Sequence, residues 1–233
     1  MKVCFLGCTP EPEATCAFAA RNCYSADSID GIADLVLEKD QSRFLRGVIA
    51  SGHHSVLEHI SFTFGISGVS RALLVQITRH RIASFSVQSQ RYVGLENGFE
   101  YIIPPRIQAL GDEEVGSFHS QMALIQSWYN EWQEKLGGGE GANEDARFVL
   151  PNACCTQIVM TMNARELLHF FSLRCCNRAQ WEIRAVADKM LEICKDHAPV
   201  IFESAGPGCV RGNCPEGKKC CGKPRKELMG NAQ

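Results

Sequence analysis

Residues 60–92 read ISFTFGISGVSRALLVQITRHRIASFSVQSQRY, and a change of period inside this stretch decides the fold class. Ile60, Phe62, Phe64 and Ile66 alternate with Ser61, Thr63, Gly65 and Ser67, the period of two expected of a strand with one buried face. Ser70 then stands where a hydroxyl can cap a helix, and Leu73, Leu74 and Ile77 follow at helical spacing, with Gln76 and Arg79 on a neighbouring face. The helix delivers Arg79, His80 and Arg81 at its C-terminal end, where the dipole tolerates cations. Ile82 to Gln90 then reads as a loop. No Asp or Glu occurs from His59 through Leu95, in a chain whose formal charge is -2. Guanidinium forks in such a window suit phosphate or carboxylate. They can equally form a solvated face or pair with distant carboxylates.

Outward from this stretch the pattern stays mixed. Val3 to Cys8 predicts a short strand. The alanine-rich run from Glu11 to Asn22, with Pro10 and Pro12 at its start, predicts a helix. Ser42 to Ser51 predicts another, with Phe44, Leu45, Val48 and Ile49 on one side and Gly52 as its terminator. Phe99 to Ile103 reads as a strand ending at Pro104-Pro105. Asp112 to Leu136 predicts a long helix closed by glycines 137 to 139, and a short helix starts at Asn143. The GGGEG segment lacks the GK[ST] ending of a phosphate loop and reads as a surface connection. Cys155 to Met162 alternates like a strand, and helices are expected from Ala164 to Cys175 and from Gln180 to Cys194.

A chain of 233 residues, 45% apolar and 21% charged, is sized for one large domain with or without a tail. The reading is a single domain over 1–205 and a Cys- and Gly-rich tail over 206–233, either disordered or separately folded. No apolar run approaches the roughly 20 residues a membrane span needs. The opening MKVCFLGCTPEPEA lacks the pattern of an export signal. Thirteen cysteines, an odd number in a large chain, then read as reduced thiols, and a cytoplasmic location is expected. The near-neutral charge argues against broad nucleic-acid binding. In HHSVLEH, His53 to His59, the order is HxxxEH and not the HExxH of a zinc helix, so no metal is expected there. The tail spacing Cys209–x4–Cys214–x5–Cys220-Cys221 matches no paired CxxC, and disorder is the favoured reading over zinc.

Arg79-His80-Arg81, a gap of seven residues and then Ser89 resembles the signature of the flavin-dependent thymidylate synthases. The resemblance extends to HHSVLEH, to Arg147, to Asn163-Ala164-Arg165 and to SLRCCNRAQWEI, Ser172 to Ile183, and runs to about Glu203. It implies an α+β fold around an antiparallel sheet, assembled as a homotetramer with shared active sites. It implies reductive methylation of dUMP to dTMP, with methylenetetrahydrofolate as carbon donor and FAD, reduced by NADPH, as hydride source.

By the same resemblance Ser55, Arg79, His80, Arg81, Asn163, Arg165 and His169 hold FAD, and His53 lies in the folate and flavin neighbourhood. Gln76, Arg79, Gln88, Ser89, Gln90, Arg91, Arg147 and Arg174 hold dUMP, with Arg174 the catalytic cation at the uracil edge. Val87 stands where the family frequently has an acidic residue, so only a backbone contact to flavin or nucleotide remains there. Any FAD is not held in the dinucleotide-fold manner, because no Gly-rich fingerprint is present. The alternative is a non-enzymatic RNA-binding protein that uses the arginine window and a zinc-binding tail; it predicts salt-sensitive RNA affinity and a colourless protein.

Overall fold

The computed structural model describes residues 1–228; positions 229 to 233, the end of the tail, lie outside the described residues. Strand β1 (Lys2–Cys8) is followed by helices α1 (Pro12–Asn22), α2 (Ile29–Glu38) and α3 (Ser42–Ala50). A 3-10 turn over His54–His59 leads into β2 (Ser61–Ser70), α4 (Arg71–Ile77) and β3 (Ala83–Val87). Helices α5 (Pro105–Gln108), α6 (Asp112–Lys135) and α7 (Gly139–Ala146) precede β4 (Cys155–Asn163). Helices α8 (Ala164–Arg174), α9 (Trp181–His197) and α10 (Pro199–Phe202) follow, and the tail adds three short 3-10 turns. The strands form one antiparallel sheet in the order β1-β2-β4-β3, so the fold is α+β.

The residues read at period two behave as that period requires. Phe62, Phe64 and Ile66 are buried while Ser61, Thr63 and Gly65 are half-buried. Thr63 and Thr161 share a hydroxyl hydrogen bond of 2.9 Å between β2 and β4. Ser70 ends the strand and caps α4, its Oγ accepting the Leu73 N–H at 3.1 Å.

Two segments differ from the sequence expectation. Ile82 to Gln90 is not all loop: Ala83–Val87 is a strand, with Ala83, Phe85 and Val87 half-buried and Ser84 and Ser86 exposed. The two serines gave it a loop's composition, yet their alternation with apolar residues is what an edge strand needs. Phe99 to Ile103 forms no strand among the described residues, only a bridge from Tyr101 to Cys154. Pro104 and Pro105 stop further pairing. The helix expected from Asn143 begins earlier, at Gly139, with Glu140 in its first turn where a helix dipole favours an acid.

The described chain divides into two compact units, one built from 1–2, 66–79 and 85–159, the other from 3–65, 80–84 and 160 onward. In the first, Tyr129 is fully buried on α6. Its hydroxyl accepts from Leu95 N–H at 3.2 Å and Gln133 Nε2 at 2.9 Å, and donates to Asn143 Oδ1 at 3.2 Å. In the second, Phe62, Phe171 and Phe202 meet edge to face with centroids 5.6 and 5.9 Å apart. The described part of the tail packs within this second unit. Arg225 pairs with Asp188 at 3.1 Å and donates to the Cys175 carbonyl at 2.9 Å, and Asn177 Nδ2 donates to the Lys223 carbonyl at 2.8 Å. No helix among the described residues is long and apolar enough to cross a membrane.

Candidate functional site

The centre of the second unit's site is the start of α8. Asn163 is the N-cap residue, its Oδ1 accepting the Glu166 N–H at 2.9 Å. The Asn-x-x-Glu order is a capping signature that the sequence displays. Here the Glu166 side chain does not return to the cap; it is buried and meets another buried side chain, His80. His80 Nδ1 donates to Glu166 Oε1 at 2.9 Å, and His80 Nε2 accepts the Nε–H of Arg174 at 3.1 Å.

These two contacts fix the protonation of the imidazole. A carboxylate on one side demands a proton on Nδ1, and a guanidinium N–H on the other demands a lone pair on Nε2. His80 is therefore neutral and Nδ1-protonated. Burial, above all, and then the Arg174 charge push its pKa down, against the opposing pull of the Glu166 hydrogen bond. The result is a buried chain from Glu166 through His80 that orients the half-buried Arg174 guanidinium. His80, Glu166 and His169 bring their ligand atoms within 4.8 Å of one another, but both ring nitrogens of His80 are committed and a guanidinium adjoins them. That arrangement disfavours a cation.

Asn163, Arg165 and His169 line one cavity of about 1020 Å³ within the second unit, together with His54, Arg46 and Arg211. Its arginines are partly answered by carboxylates: Arg165 pairs with Glu58, and Arg46 with Glu203 at 2.8 Å. The cavity is large by the standard of small-molecule sites. His53 and Ser55 are exposed beside it in sequence, flanking His54, whose Nε2 lies 3.2 Å from the Ile49 carbonyl. Arg79 and Arg81 are exposed and have no ion pair among the described residues. Of the residues matched to the cofactor, all but Arg79 and Val87 fall in this unit.

The residues matched to the nucleotide, other than Arg174, fall in the first unit. Gln76 Nε2 donates back to the Ala72 carbonyl at 3.1 Å. Gln88 continues the pairing of β3, its N–H donating to the Gln157 carbonyl at 3.0 Å. Ser89 closes a turn, its Oγ accepting from Arg91 N–H at 3.2 Å and Tyr92 N–H at 3.4 Å. Gln90 Nε2 reaches Cys154 Sγ at 3.5 Å. Arg91 pairs with Glu140 at 3.2 Å and Glu144 at 2.9 Å on α7, so its charge is answered by carboxylates about fifty residues away. Arg147 is half-buried and donates to the Glu144 carbonyl at 3.0 Å.

Sequence reasoning missed Glu166, the acid that pairs with His80. Glu166 falls beside Leu167 and Phe170 on the buried side of α8, a position where an acid needs a partner. Cys175, next to Arg174 in sequence, is fully buried. Burial first, and then Asp188, push its thiol well above the ordinary range, which disfavours the thiolate a nucleophile needs.

Residues 5–200 match the family described as thymidylate synthase complementing protein. The chain is 51% identical over 224 residues to a flavin-dependent thymidylate synthase of Geobacter sulfurreducens, covering 96% of this chain and 94% of that one. It is 46% identical to one of Clostridium tetani, with the same coverage, and 41% identical to one of Pyrococcus furiosus, covering 93% of this chain and 90% of that one. These matches lend no support to RNA binding. With its α+β sheet and its Glu166–His80–Arg174 chain already in place, the protein belongs to the family of flavin-dependent thymidylate synthases.

Proposed function

We propose that this chain converts dUMP to dTMP by reductive methylation, with methylenetetrahydrofolate as carbon donor, NADPH as reductant and FAD as bound cofactor. The structural observation that supports the reading best is the Glu166–His80–Arg174 chain. It holds a guanidinium in a fixed orientation, and Glu166 at the other end of the chain lines a cavity large enough for a flavin. The residues present fit such a cofactor. Asn163, Arg165 and His169 offer polar groups along one wall, and the carboxylates Glu58 and Glu203 each already have an arginine partner. FAD, when bound, supplies the hydride.

The protein's part is binding, orientation and charge. Arg174 faces the uracil edge, where a cation favours the polarised imide as negative charge develops on its oxygen. Neutral His80 leaves the Arg174 charge undiminished while fixing its direction, and Glu166 fixes the tautomer that makes this possible. Exposed Arg79 and Arg81 are donors for phosphate groups, and Gln88, Ser89, Gln90, Arg91 and Arg147 are the nucleotide-binding set, with Gln76. His53 and Ser55 border the folate and flavin region, and the backbone of Val87 is its remaining contact. Homotetrameric assembly would complete sites whose exposed Arg79 and Arg81 have no ion pair among the described residues.

The test pairs flavin content with dTMP formation. The parent protein should purify yellow and form dTMP from dUMP, methylenetetrahydrofolate and NADPH. Arg174→Ala should stay yellow and lose roughly a hundredfold or more in turnover. A colourless parent protein that makes no dTMP would overturn the reading, and near-normal turnover in a yellow Arg174→Ala would overturn the role of Arg174.

A further inference from the structure

Five of the thirteen cysteines, Cys176, Cys209, Cys214, Cys220 and Cys221, line one cavity of about 550 Å³ in the second unit. All five are free thiols. Cys176 lies just beyond α8, while the other four come from the tail. The backbone of the tail is folded tightly to bring them there. A Cβ on Gly208 would lie 2.7 Å from Cδ of Pro215, so the residue before Cys209 presses directly on the residue after Cys214. Gly217, at φ +53, and Gly222, at φ +71, turn the chain just after Cys214 and just after the Cys220-Cys221 pair, in a conformation that glycine adopts without strain.

These turns aim donors at sulfur. Gly222 N–H donates to Cys220 Sγ at 3.4 Å, and Arg225 N–H to Cys209 Sγ at 3.5 Å. Glu216 N–H donates to Cys214, which also faces Cys209 and Cys220. Asn177 Nδ2 donates to Cys221 Sγ at 3.7 Å. A neutral thiol is a weak acceptor. Four of the five sulfurs in the cavity thus accept an N–H, as sulfurs bound to a metal do. The local charge agrees. Between 206 and 228 there are six Lys and Arg residues against Glu216 and Glu227, enough to offset an anionic thiolate centre.

We propose that Cys176, Cys209, Cys214 and one member of the Cys220-Cys221 pair bind a single zinc ion as four thiolates. Sulfur ligands select a soft or borderline cation, and a closed four-sulfur set is the arrangement of a structural zinc site. Adjacent residues in a turn direct their side chains apart, so one of Cys220 and Cys221 ligates and the other faces solvent. The only described group with ligand atoms already within 4.8 Å of one another is His80, Glu166 and His169, so the sulfurs must draw closer around the ion. Each ligand loses its proton as the zinc–sulfur bond forms, and binding releases those protons to solvent. The ion would join the tail to the segment that follows Arg174. None of its ligands belongs to the flavin or nucleotide set, although Arg174 lines the same cavity.

The experiment uses the full chain, purified without a metal-binding tag and under reducing conditions, with zinc measured by elemental analysis. About one zinc per chain is expected, and the content should fall at least about tenfold in Cys214→Ser but hold in Cys154→Ser, which lies outside the cluster. Cobalt exchanged into the parent protein should show sulfur-to-metal charge transfer and tetrahedral ligand-field bands, a readout that survives if Cys214→Ser fails to fold. Of Cys220→Ser and Cys221→Ser, one should lose the metal and the other keep it. A reduced parent protein that neither retains zinc nor takes it up from micromolar solution would overturn the site. Unchanged zinc in Cys214→Ser would do the same. Loss in both or in neither of the Cys220 and Cys221 variants would overturn the ligand set.

Discussion

His80 holds a lone pair against a guanidinium and a proton against a carboxylate, and protonation would break the first of these contacts. Its folded-state pKa is lowered, chiefly by burial. The sign follows from proton counts. Below the ordinary histidine value of about 6.5 the unfolded chain takes up a proton that the folded chain resists, so stability falls as pH drops through that value toward the lowered one. His80→Asn keeps an amide donor near Glu166 and removes the titration. Denaturant unfolding of both proteins at several pH values between about 7 and 5 should show a shallower acid-side loss in the variant. Equal slopes would mean that another group carries the acid sensitivity.

At the scale of elements, two joints have costs that can be separated. Asn163 starts α8 by capping the Glu166 N–H, so Asn163→Ala should cost about 1 kcal/mol and Asn163→Ser should recover most of it. If alanine and serine destabilise alike, the cap is not what the residue contributes. Between α6 and α7, the Tyr129 hydroxyl satisfies Leu95, Gln133 and Asn143 in a buried place. Tyr129→Phe removes one oxygen and strands several partners. A loss of about 1–3 kcal/mol is expected, because unsatisfied buried groups pay their desolvation in full. A neutral effect in thermal and denaturant unfolding would show that water replaces the hydroxyl.

At the scale of the whole molecule, the tail is bound into the second unit by Arg225. Its guanidinium meets Asp188 on α9 and the Cys175 carbonyl at the end of α8, and Glu227 meets it from the other side. Arg225→Met keeps much of the side-chain stem and removes the charge, leaving Asp188 and the carbonyl without this donor. Stability should drop by roughly 1–3 kcal/mol, and limited proteolysis should begin in the tail. Unchanged cleavage and stability would mean that the tail is held by other contacts. The finding also changes how the tail composition is read. Its glycines and cysteines looked like disorder, whereas in the fold they permit close approach at Gly208 and left-handed turns at Gly217 and Gly222.

The sequence by itself determined the elements whose signals are local. Alternation gave β2 and β4, and Ser70 and the spacing of Leu73 and Ile77 gave α4. The motif from Arg79 to Ser89 gave the family, because its order of residues needs no knowledge of the fold. Pairing partners belong to tertiary structure. That β3 is a strand depends on β4 lying beside it, since two serines in five residues are compatible with a loop until a ladder is available. That Arg91 answers to Glu140 and Glu144, Arg165 to Glu58, and His80 to Glu166 depends on contacts spanning 49 to 107 positions of chain. No local pattern encodes such distances. Only the folded chain brought a buried acid to His80, and with it the protonation state that orients Arg174.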